Sequence, residues 1–303
     1  TPAASTGSDY ASLDPVVLRG ADSAGVGAAA QQLGELVAEK VDAITGGQLT
    51  VEYYPNSEMG GDMDIQQQML DGTLDYVVLQ TAPTVSFVPA VAVFDLPMVF
   101  AQYDGDTIDQ VLNGDDSEFL KAIAPKYEEK NMKILGYLQN ATYRLTTSNV
   151  KLDTLDAFKG LQIRTMENQN HMAFWSALGA APTPLAWPEV YISLQNGTID
   201  AQENAADTCM TSNFQEVQKY LTLDNHVHNF LAVLTNENWL NSLSADDQQL
   251  VKDCVAEMVT TQRSMELEDN DAVVAKLQDA GMEVNELTDE QYQAFVDAVQ
   301  PMY

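Results

Sequence analysis

The segment "IQQQMLDGTLDYVVL" at residues 65–79 has a second version, "VYISLQNGTIDAQEN", at residues 190–204. Each version predicts a helix, a Gly-Thr-apolar-Asp turn and a strand. Gly72 and Gly197 stand where a left-handed backbone after a helix favours glycine. Two such units, about 125 residues apart in a chain of 303 residues, predict two similarly built lobes rather than a solenoid, which needs several short repeats.

The remaining pattern predicts an α/β fold. A strand at 15–22, a helix with apolar residues at helical spacing over 26–44 and a strand at 48–55 form a unit typical of parallel sheets. Near the C-terminus, residues 244–281 contain no proline and carry an apolar stripe, which predicts one long helix or two abutting helices. A helix of this length could span both lobes.

Composition excludes several classes of function. With 45 acidic and 14 basic residues, the formal charge of −31 repels nucleic acid and anionic lipid. The sequence contains no run of about 18 consecutive apolar residues, so it predicts no membrane-spanning helix. The small and polar residues 1–14 are typical of a flexible tether left after removal of a targeting segment, and a lipid anchor on this tether is a hypothesis.

Arginine is scarce in this acidic chain, which has only four. Arg164, in the strand-like "KGLQIRTME", should project from the opposite face to Ile163, and its planar guanidinium suits a carboxylate or sulfonate. Arg144, in "ATYRLTTSN", would suit a second acidic group on the ligand. The alternative for Arg164 is a salt bridge with an acid at the surface, and for Arg144 it is a surface or interlobe salt bridge.

Ligands of open α/β sheets bind beyond the carboxyl ends of the strands. This rule indicates Gln80 with Thr81 in one lobe, and Glu203 with Asn204 in the other. Trp187, between alanine and proline, could supply a flat apolar wall, although a buried core tryptophan is the competing interpretation.

The sequence contains no strong signal for a metal, a cofactor or a catalytic centre. His226 and His228 would share one face if they lay on a strand, but they have no third ligand of suitable spacing, and His171 stands alone. Cys209 and Cys254 lack metal-like spacing, and whether they form a disulfide stays open. A nucleophile elbow, HExxH, a P-loop and a dinucleotide fingerprint are all absent.

The stretch "KGLQIRTMENQNHMAFWSALGAAPTPLAWPEVYISLQNGTIDAQEN" (159–204) resembles the solute-binding proteins of tripartite ATP-independent periplasmic (TRAP) transporters, the DctP family. The resemblance extends to "VFDLPMVF" (93–100) and "MEVNELTDEQYQAFVDAVQPMY" (282–303), and covers nearly everything after residue 15. Ala205 departs from the pattern, because a proline commonly follows this asparagine in the family.

The resemblance implies two α/β lobes joined by cross-over strands and a long helix, with one organic anion enclosed between them. The implied division is a tether at 1–14, lobe I at 15–141 plus 230–269, and lobe II at 142–229 plus 270–303. The residues that match family positions for the ligand are Arg164 as the selectivity arginine, Asn204, Trp187, Arg144 and Gln80.

We therefore expect a periplasmic or extracytoplasmic binding protein that is monomeric and needs no cofactor. It would deliver a small organic anion, most often a carboxylate in this family, to membrane permease subunits. A two-lobed sensor that docks to a receptor is an alternative, as is a secreted enzyme using His171 or the pair His226 and His228. The ligand stays open among mono- and dicarboxylates, keto and hydroxy acids, sulfonates and aromatic acids.

Overall fold

The computed structural model describes residues 16–24, 31, 34–35, 47, 49–97, 100, 103–114, 116–264 and 270–302, without the side chains of residues 16, 139–142, 254, 257–258 and 260–264. The predicted tether at 1–14 lies outside the described residues. So does most of the predicted helix at 26–44, of which residues 31 and 34–35 are described and are helical.

The strands and helices alternate along the chain as an α/β fold requires. The strands are β1 Val16–Asp22, β2 Leu49–Tyr54, β3 Tyr76–Gln80, β4 Met132–Tyr143, β5 Leu145–Ser148, β6 Gln162–Thr165, β7 Ala181–Pro184, β8 Ala201–Asn204, β9 Tyr220–Leu223, β10 His228–Asn236 and β11 Glu283–Glu286. The α-helices are α1 Asp62–Leu70, α2 Thr81–Thr84, α3 Gly105–Asn113, α4 Glu118–Glu128, α5 Gln169–Ala177, α6 Val190–Gln195, α7 Ala206–Thr211, α8 Glu237–Ser242, α9 Ala245–Ser264, α10 Asn270–Asp279 and α11 Asp289–Val299.

The chain divides into two compact units. Unit 1 comprises Thr1–Leu79, Ala124–Leu138 and Ala232–Met265, and unit 2 comprises Gln80–Ile123, Gln139–Leu231 and Glu266–Tyr303. The chain passes from one unit to the other within β4 and within β10. These two units and the two shared strands confirm the predicted two-lobed α/β class with cross-over strands.

Each unit is built around its own sheet. One sheet has the order β2-β1-β3-β10-β4, and β1 pairs in parallel with both β2 and β3, as predicted. The other has the order β11-β9-β5-β8-β6-β7 and is mixed: β6 is parallel to β7 and β8, whereas β5 is antiparallel to β8 and β9. The carboxyl ends of two parallel strands lie at the same end of a sheet. In unit 2 the parallel strands β6 and β8 end side by side in this way.

The two similar sequence segments fold alike. Gly72 after α1 has φ +78° and Gly197 after α6 has φ +69°, so both adopt the left-handed conformation that was predicted. The N–H of the threonine after each glycine donates to the carbonyl oxygen five residues earlier, at 2.9 Å in both units. This shared bond pattern closes the helix end in each unit.

The aspartate of each turn also has the same role in both units. The Asp75 backbone N–H donates to the Arg19 carbonyl at 2.8 Å, and the Asp75 carboxylate accepts from the Arg19 N–H at 2.8 Å. The Asp200 N–H donates to the Gln162 carbonyl at 2.7 Å, and the Asp200 carboxylate accepts from the Gln162 N–H at 3.0 Å. Each aspartate thus binds the neighbouring strand (β1 or β6) through two bonds and sets where the next strand begins.

We expect Gly197→Ala to lower the free energy of unfolding by about 1 kcal/mol, because a left-handed φ is costly for a residue with a Cβ atom. An added Cβ would meet no other atom within 4 Å, so the cost is conformational rather than steric. Urea unfolding measures it. The control is Gly105→Ala in the exposed first turn of α3, which should be neutral or stabilising. Equal effects of the two substitutions would contradict this account.

The sheet of unit 2 is buried on both faces. One cluster packs around Leu145 and Leu221, and the other packs around Ile163 and Ala201. Leu145 is the register partner of Asn204, which stands on the face opposite to Ala201. The two clusters therefore lie on opposite faces, and polar side chains of this sheet are held within a packed environment.

Two parts of the predicted organisation stay predictions. The first is the lobe boundaries: residues 80–123, expected in lobe I, fall in compact unit 2, where Phe94 packs against Phe230 with ring centroids 5.0 Å apart and Asp95 accepts from Asn168 at 2.8 Å. Near the C-terminus, helices α9 and α10 flank residues 265–269, which lie outside the described residues. That one helix spans both lobes stays a prediction.

In the described part of the chain, we find no helix that is both long and apolar enough to cross a membrane.

Candidate functional site

Arg164 and Asn204 stand near the carboxyl ends of two neighbouring parallel strands of unit 2. In the register of β6 and β8, Ile163 pairs with Ala201, so Arg164 lies beside Gln202 on the same face as Asn204. This confirms that Arg164 projects from the face opposite to Ile163. Arg164 is buried, with 2% of its surface exposed, and so is Asn204.

The Arg164 guanidinium is held in a fixed orientation. Its Nε and Nη2 both donate to the Leu185 carbonyl oxygen, at 2.9 and 2.7 Å. Its Cζ lies 5.5 Å from the centre of the Trp187 ring system. Neither bond to Leu185 neutralises the guanidinium, since the acceptor is an uncharged carbonyl. The strand and the loop after β7 thus set the direction of the cation.

Trp187 packs partly into the core and lies beside Arg164. It begins a short 3-10 turn, Trp187–Glu189, and packs against Phe214 with ring centroids 5.7 Å apart. The ring is only partly buried in this cluster, and it also lies beside the Arg164 guanidinium. One indole therefore contributes to the core and lies next to the cation, and its role as an apolar wall for a ligand stays a prediction.

Arg144 forms a buried salt bridge, whereas the alternative to a ligand role was a surface or interlobe one. The side chain is 1% exposed, its Nε contacts the Glu203 carboxylate, and its Nη2 donates to Glu203 Oε1 at 3.2 Å. Its Nη1 donates to Asn229 Oδ1 at 2.8 Å and to Gln80 Oε1 at 3.3 Å. The structure thus brings Gln80 and Arg144 together, with the charge of Arg144 balanced by Glu203.

Two histidines join Glu203 to further carboxylates. His171 Nε2 lies 3.2 Å from Asp95 Oδ1, and its Nδ1 lies 3.5 Å from Glu203 Oε1. His226 Nδ1 lies 3.0 Å from Asp224 Oδ1, and its Nε2 lies 3.2 Å from Glu203 Oε2. A carboxylate only accepts hydrogen bonds, whereas a neutral imidazole has a single N–H. Both rings are therefore satisfied only as imidazolium ions.

Charges within this buried network balance each other. Burial alone would raise the pKa of Glu203, but the charge of Arg144 and hydrogen bonds from the two histidines lower it well below its usual range. Burial also disfavours protonated histidine, yet Asp224 and Glu203 raise the pKa of His226 to about 9. Against the same effect of burial, Asp95 and Glu203 raise the pKa of His171. With three carboxylates, one guanidinium and two imidazolium ions, the formal charge is zero.

Raising the pH from 6.5 to about 9 should lower the free energy of unfolding by up to about 3 kcal/mol through His226. Its pKa is higher in the folded state than in the unfolded state, so its contribution is complete below pH 6.5 and is lost as the pH passes 9. Urea unfolding at several pH values measures this. His226→Gln should show a smaller decrease, whereas His228→Gln should keep it, since burial lowers the pKa of His228 to about 4. A wild-type free energy that does not change over this range would contradict the assignment.

The histidines thus have structural partners. Strand β10 begins at His228, so His226 and His228 do not share a strand. The His228 ring stacks on Phe230, with ring centroids 4.2 Å apart. The described residues contain no group of three or more His, Cys, Asp or Glu side chains that could hold a metal ion.

In the described part of the chain Cys209 is a free thiol, and the side chain of Cys254 lies outside the described residues. Cys209 is fully buried and accepts a hydrogen bond from Gln202 Nε2 at 3.4 Å. Burial raises the pKa of this thiol to about 12, so it stays protonated at neutral pH.

Two polar residues of this region were missed by the sequence analysis. Asn229 binds Arg144, and Asp95 binds His171. Each is a polar residue within an apolar run, in "HNFLAVLTN" and "AVFDLP" respectively. A buried polar group within such a run needs a specific partner, and this signal could have identified both.

Comparisons with known proteins find relatives over most of the chain. The DctP model, described as "Bacterial extracellular solute-binding protein, family 7", matches residues 21–303. The 2,3-diketo-L-gulonate-binding periplasmic protein YiaO of Escherichia coli K12 is 31% identical over 271 residues, which cover 89% of this chain and 79% of YiaO. The C4-dicarboxylate-binding periplasmic protein DctP of Rhodobacter capsulatus is 30% identical over 267 residues, covering 88% and 78% of the two chains.

A solved structure is similar over nearly the whole chain. The sugar acid binding protein DctPAm of Advenella mimigardefordensis strain DPN7T, in complex with galactonate, superposes with a TM-score of 0.89 at 28% identity. The match covers 96% of this chain and 92% of DctPAm. Fold similarity at this level extends to the two units and their sheets.

Proposed function

Because this chain belongs to bacterial extracellular solute-binding protein family 7, we propose that it captures a small organic anion and passes it to the membrane permease of a TRAP transporter. The observation that carries this proposal is the buried Arg164 guanidinium, oriented by the Leu185 carbonyl at the end of β6. A carboxylate ligand fits best, because a guanidinium matches it with two parallel hydrogen bonds. The relatives that bind diketogulonate, C4-dicarboxylates and galactonate support an organic acid.

The proposed contacts are those that the orientation of each side chain favours. Leu185 accepts from the Nε–Nη2 edge of Arg164, and a carboxylate fits the adjacent Nη1–Nη2 edge with two parallel hydrogen bonds. Asn204 Oδ1 accepts from the Ala205 N–H at 3.3 Å, which leaves Asn204 Nδ2 as a donor to the ligand. Trp187 packs against the carbon skeleton, and Gln80 supplies a further polar contact.

We also propose that the protein is exported, acts as a monomer and releases its ligand unaltered. The family consists of transport binding proteins, which supports binding without a chemical step. A lipid anchor on residues 1–14 remains a hypothesis, and mass spectrometry of the native protein tests it.

A screen of organic anions by thermal unfolding tests the proposed function. A ligand that binds only the folded state raises the melting temperature by mass action, and the rise grows with ligand concentration. The matched control is a neutral sugar of similar size, for example galactose beside galactonate, which should give no shift. Mass spectrometry should then recover each active ligand unchanged. The proposal fails if no small anion stabilises the folded protein, or if the anion and its neutral analogue act equally.

A further inference from the structure

Two amide side chains of unit 2 are held by their oxygens. Arg144 Nη1 donates both to Asn229 Oδ1 at 2.8 Å and to Gln80 Oε1 at 3.3 Å. A guanidinium only donates, so the oxygen of each amide must face it and the NH₂ group must point elsewhere. Arg144 thereby fixes both amides as hydrogen-bond donors to whatever lies beyond them.

One of these donors is buried without an acceptor. Asn229 is 1% exposed, and its Nδ2 has no hydrogen-bond partner among the residues that the structure describes. Gln80 is half-buried, and no described residue accepts a hydrogen bond from its Nε2. A buried donor without an acceptor is costly, and therefore calls for an explanation such as a ligand atom.

The two amides lie near the end of the sheet that carries Asn204. Arg144 directly precedes Leu145, which is the register partner of Asn204 on β8. The Arg144 Nη2 also donates to the Glu203 carbonyl at 3.0 Å, immediately before Asn204. The donors of Gln80 and Asn229 are thus attached, through Arg144, to the end of β8 that carries Asn204.

The charge of Arg144 is not available for a second anion. Glu203 already pairs with it, and the surrounding network of carboxylates, imidazolium ions and guanidinium has zero formal charge. A second carboxylate placed here would lose its hydration and gain no net charge attraction. A hydroxyl or carbonyl oxygen loses less hydration and suits amide donors.

We propose, resting on the proposed function, that Gln80 and Asn229 form a donor subsite for a neutral oxygen of the ligand. Arg144 acts there as a positioning residue that orients both amides. The ligand class that follows is a monocarboxylate with hydroxyl or carbonyl groups on its carbon chain, rather than a dicarboxylate.

Four matched ligands test the ligand class by calorimetry on the wild-type protein. Galactonate and galactarate share one hydroxylated skeleton with one or two carboxylates, whereas hexanoate and adipate are the corresponding acids without hydroxyls. Gluconate and glucarate repeat the comparison in a second configuration. We expect an aldonate to bind at least about tenfold more tightly than its aldarate and than hexanoate.

Two outcomes separate this inference from the proposed function. If an aldarate, adipate or hexanoate binds as tightly as the aldonates, the inferred ligand class is wrong. The proposed function as an anion-binding protein would still hold. If a broad panel of anions gives no binding to the folded protein, the proposed function itself fails, and the inference fails with it.

Asn229→Asp tests the subsite, because it keeps an acceptor for Arg144 but removes the donor. Galactonate, or whichever aldonate binds best, should bind at least about tenfold more weakly to this variant and to Asn229→Ala, while hexanoate affinity changes less than about twofold. If the aldonate and hexanoate affinities change alike, Asn229 has a purely structural role and the proposal is wrong. An unchanged aldonate affinity would also overturn it. Asn196→Asp, at an exposed asparagine, is the control for added charge. If the Asn229 variants do not fold, Gln80→Glu applies the same test at the half-buried amide.

Discussion

Arg164→Ala should weaken binding of the organic anion at least about 100-fold, equivalent to roughly 3 kcal/mol. The reason is that the guanidinium is buried and already oriented, so the ligand carboxylate gains two charge-assisted bonds without the cost of ordering a long side chain. Without the guanidinium, the carboxylate would be desolvated with no cation beside it. Titration calorimetry with the tightest anion of the thermal screen measures the loss.

Two further variants distinguish a specific contact from a general effect of charge. Arg164→Lys keeps the charge but cannot donate from a planar fork to Leu185 and a carboxylate, so we expect most of the affinity to be lost. Arg19→Ala removes an arginine of unit 1 whose side chain is 40% exposed, and it should leave the affinity unchanged. A folded Arg164→Ala protein that binds with wild-type affinity would remove Arg164 from the mechanism.

Local signals in the sequence predicted much of the fold. Gly72 and Gly197 mark helix ends because few other residues adopt a left-handed backbone readily. The alternation around Ile163 and Arg164 predicted their opposite faces, because side chains of a strand alternate strictly. Such features depend on residues within a few positions of each other, so a single sequence contains the information.

The composition of the site could not be predicted in the same way. Arg144 and Glu203 are 59 positions apart, and His226 reaches Glu203 from the loop before β10. Alternation assigns a residue to a face of a strand, but not the partner that another strand brings to it. Arg144 therefore kept two interpretations in the sequence, and only its side-chain hydrogen bonds in the folded chain show its contact with Glu203.

The contacts that place residues 80–123 in compact unit 2 could not be predicted for the same reason. Their attachment to unit 2 depends on Asp95, which accepts from Asn168 at 2.8 Å and from Asn170 at 2.9 Å. These partners lie more than 70 positions away. Local sequence around Asp95 shows only an acid in an apolar run, without its partners.

Glu203→Gln should lower the free energy of unfolding by at least about 3 kcal/mol, which makes Glu203 the most sensitive position of unit 2 that we identify. The substitution keeps the size of the side chain but leaves Arg144, His171 and His226 around a neutral amide. Buried cations that lose a carboxylate partner are strongly destabilising, and the loss is greatest for Arg144, which cannot give up its proton and pairs with Glu203. Equilibrium unfolding in urea measures the change.

The matched control is Glu290→Gln, an exposed acid in the first turn of α11, which should change the free energy by no more than about 0.5 kcal/mol. The pH dependence gives a second measurement. With Glu203 removed, each imidazolium keeps only one carboxylate partner, so the pKa values of His171 and His226 should fall and the loss of stability should begin at lower pH. Equal destabilisation by the two substitutions, or an unchanged pH profile in Glu203→Gln, would show that Glu203 does not hold these histidines protonated.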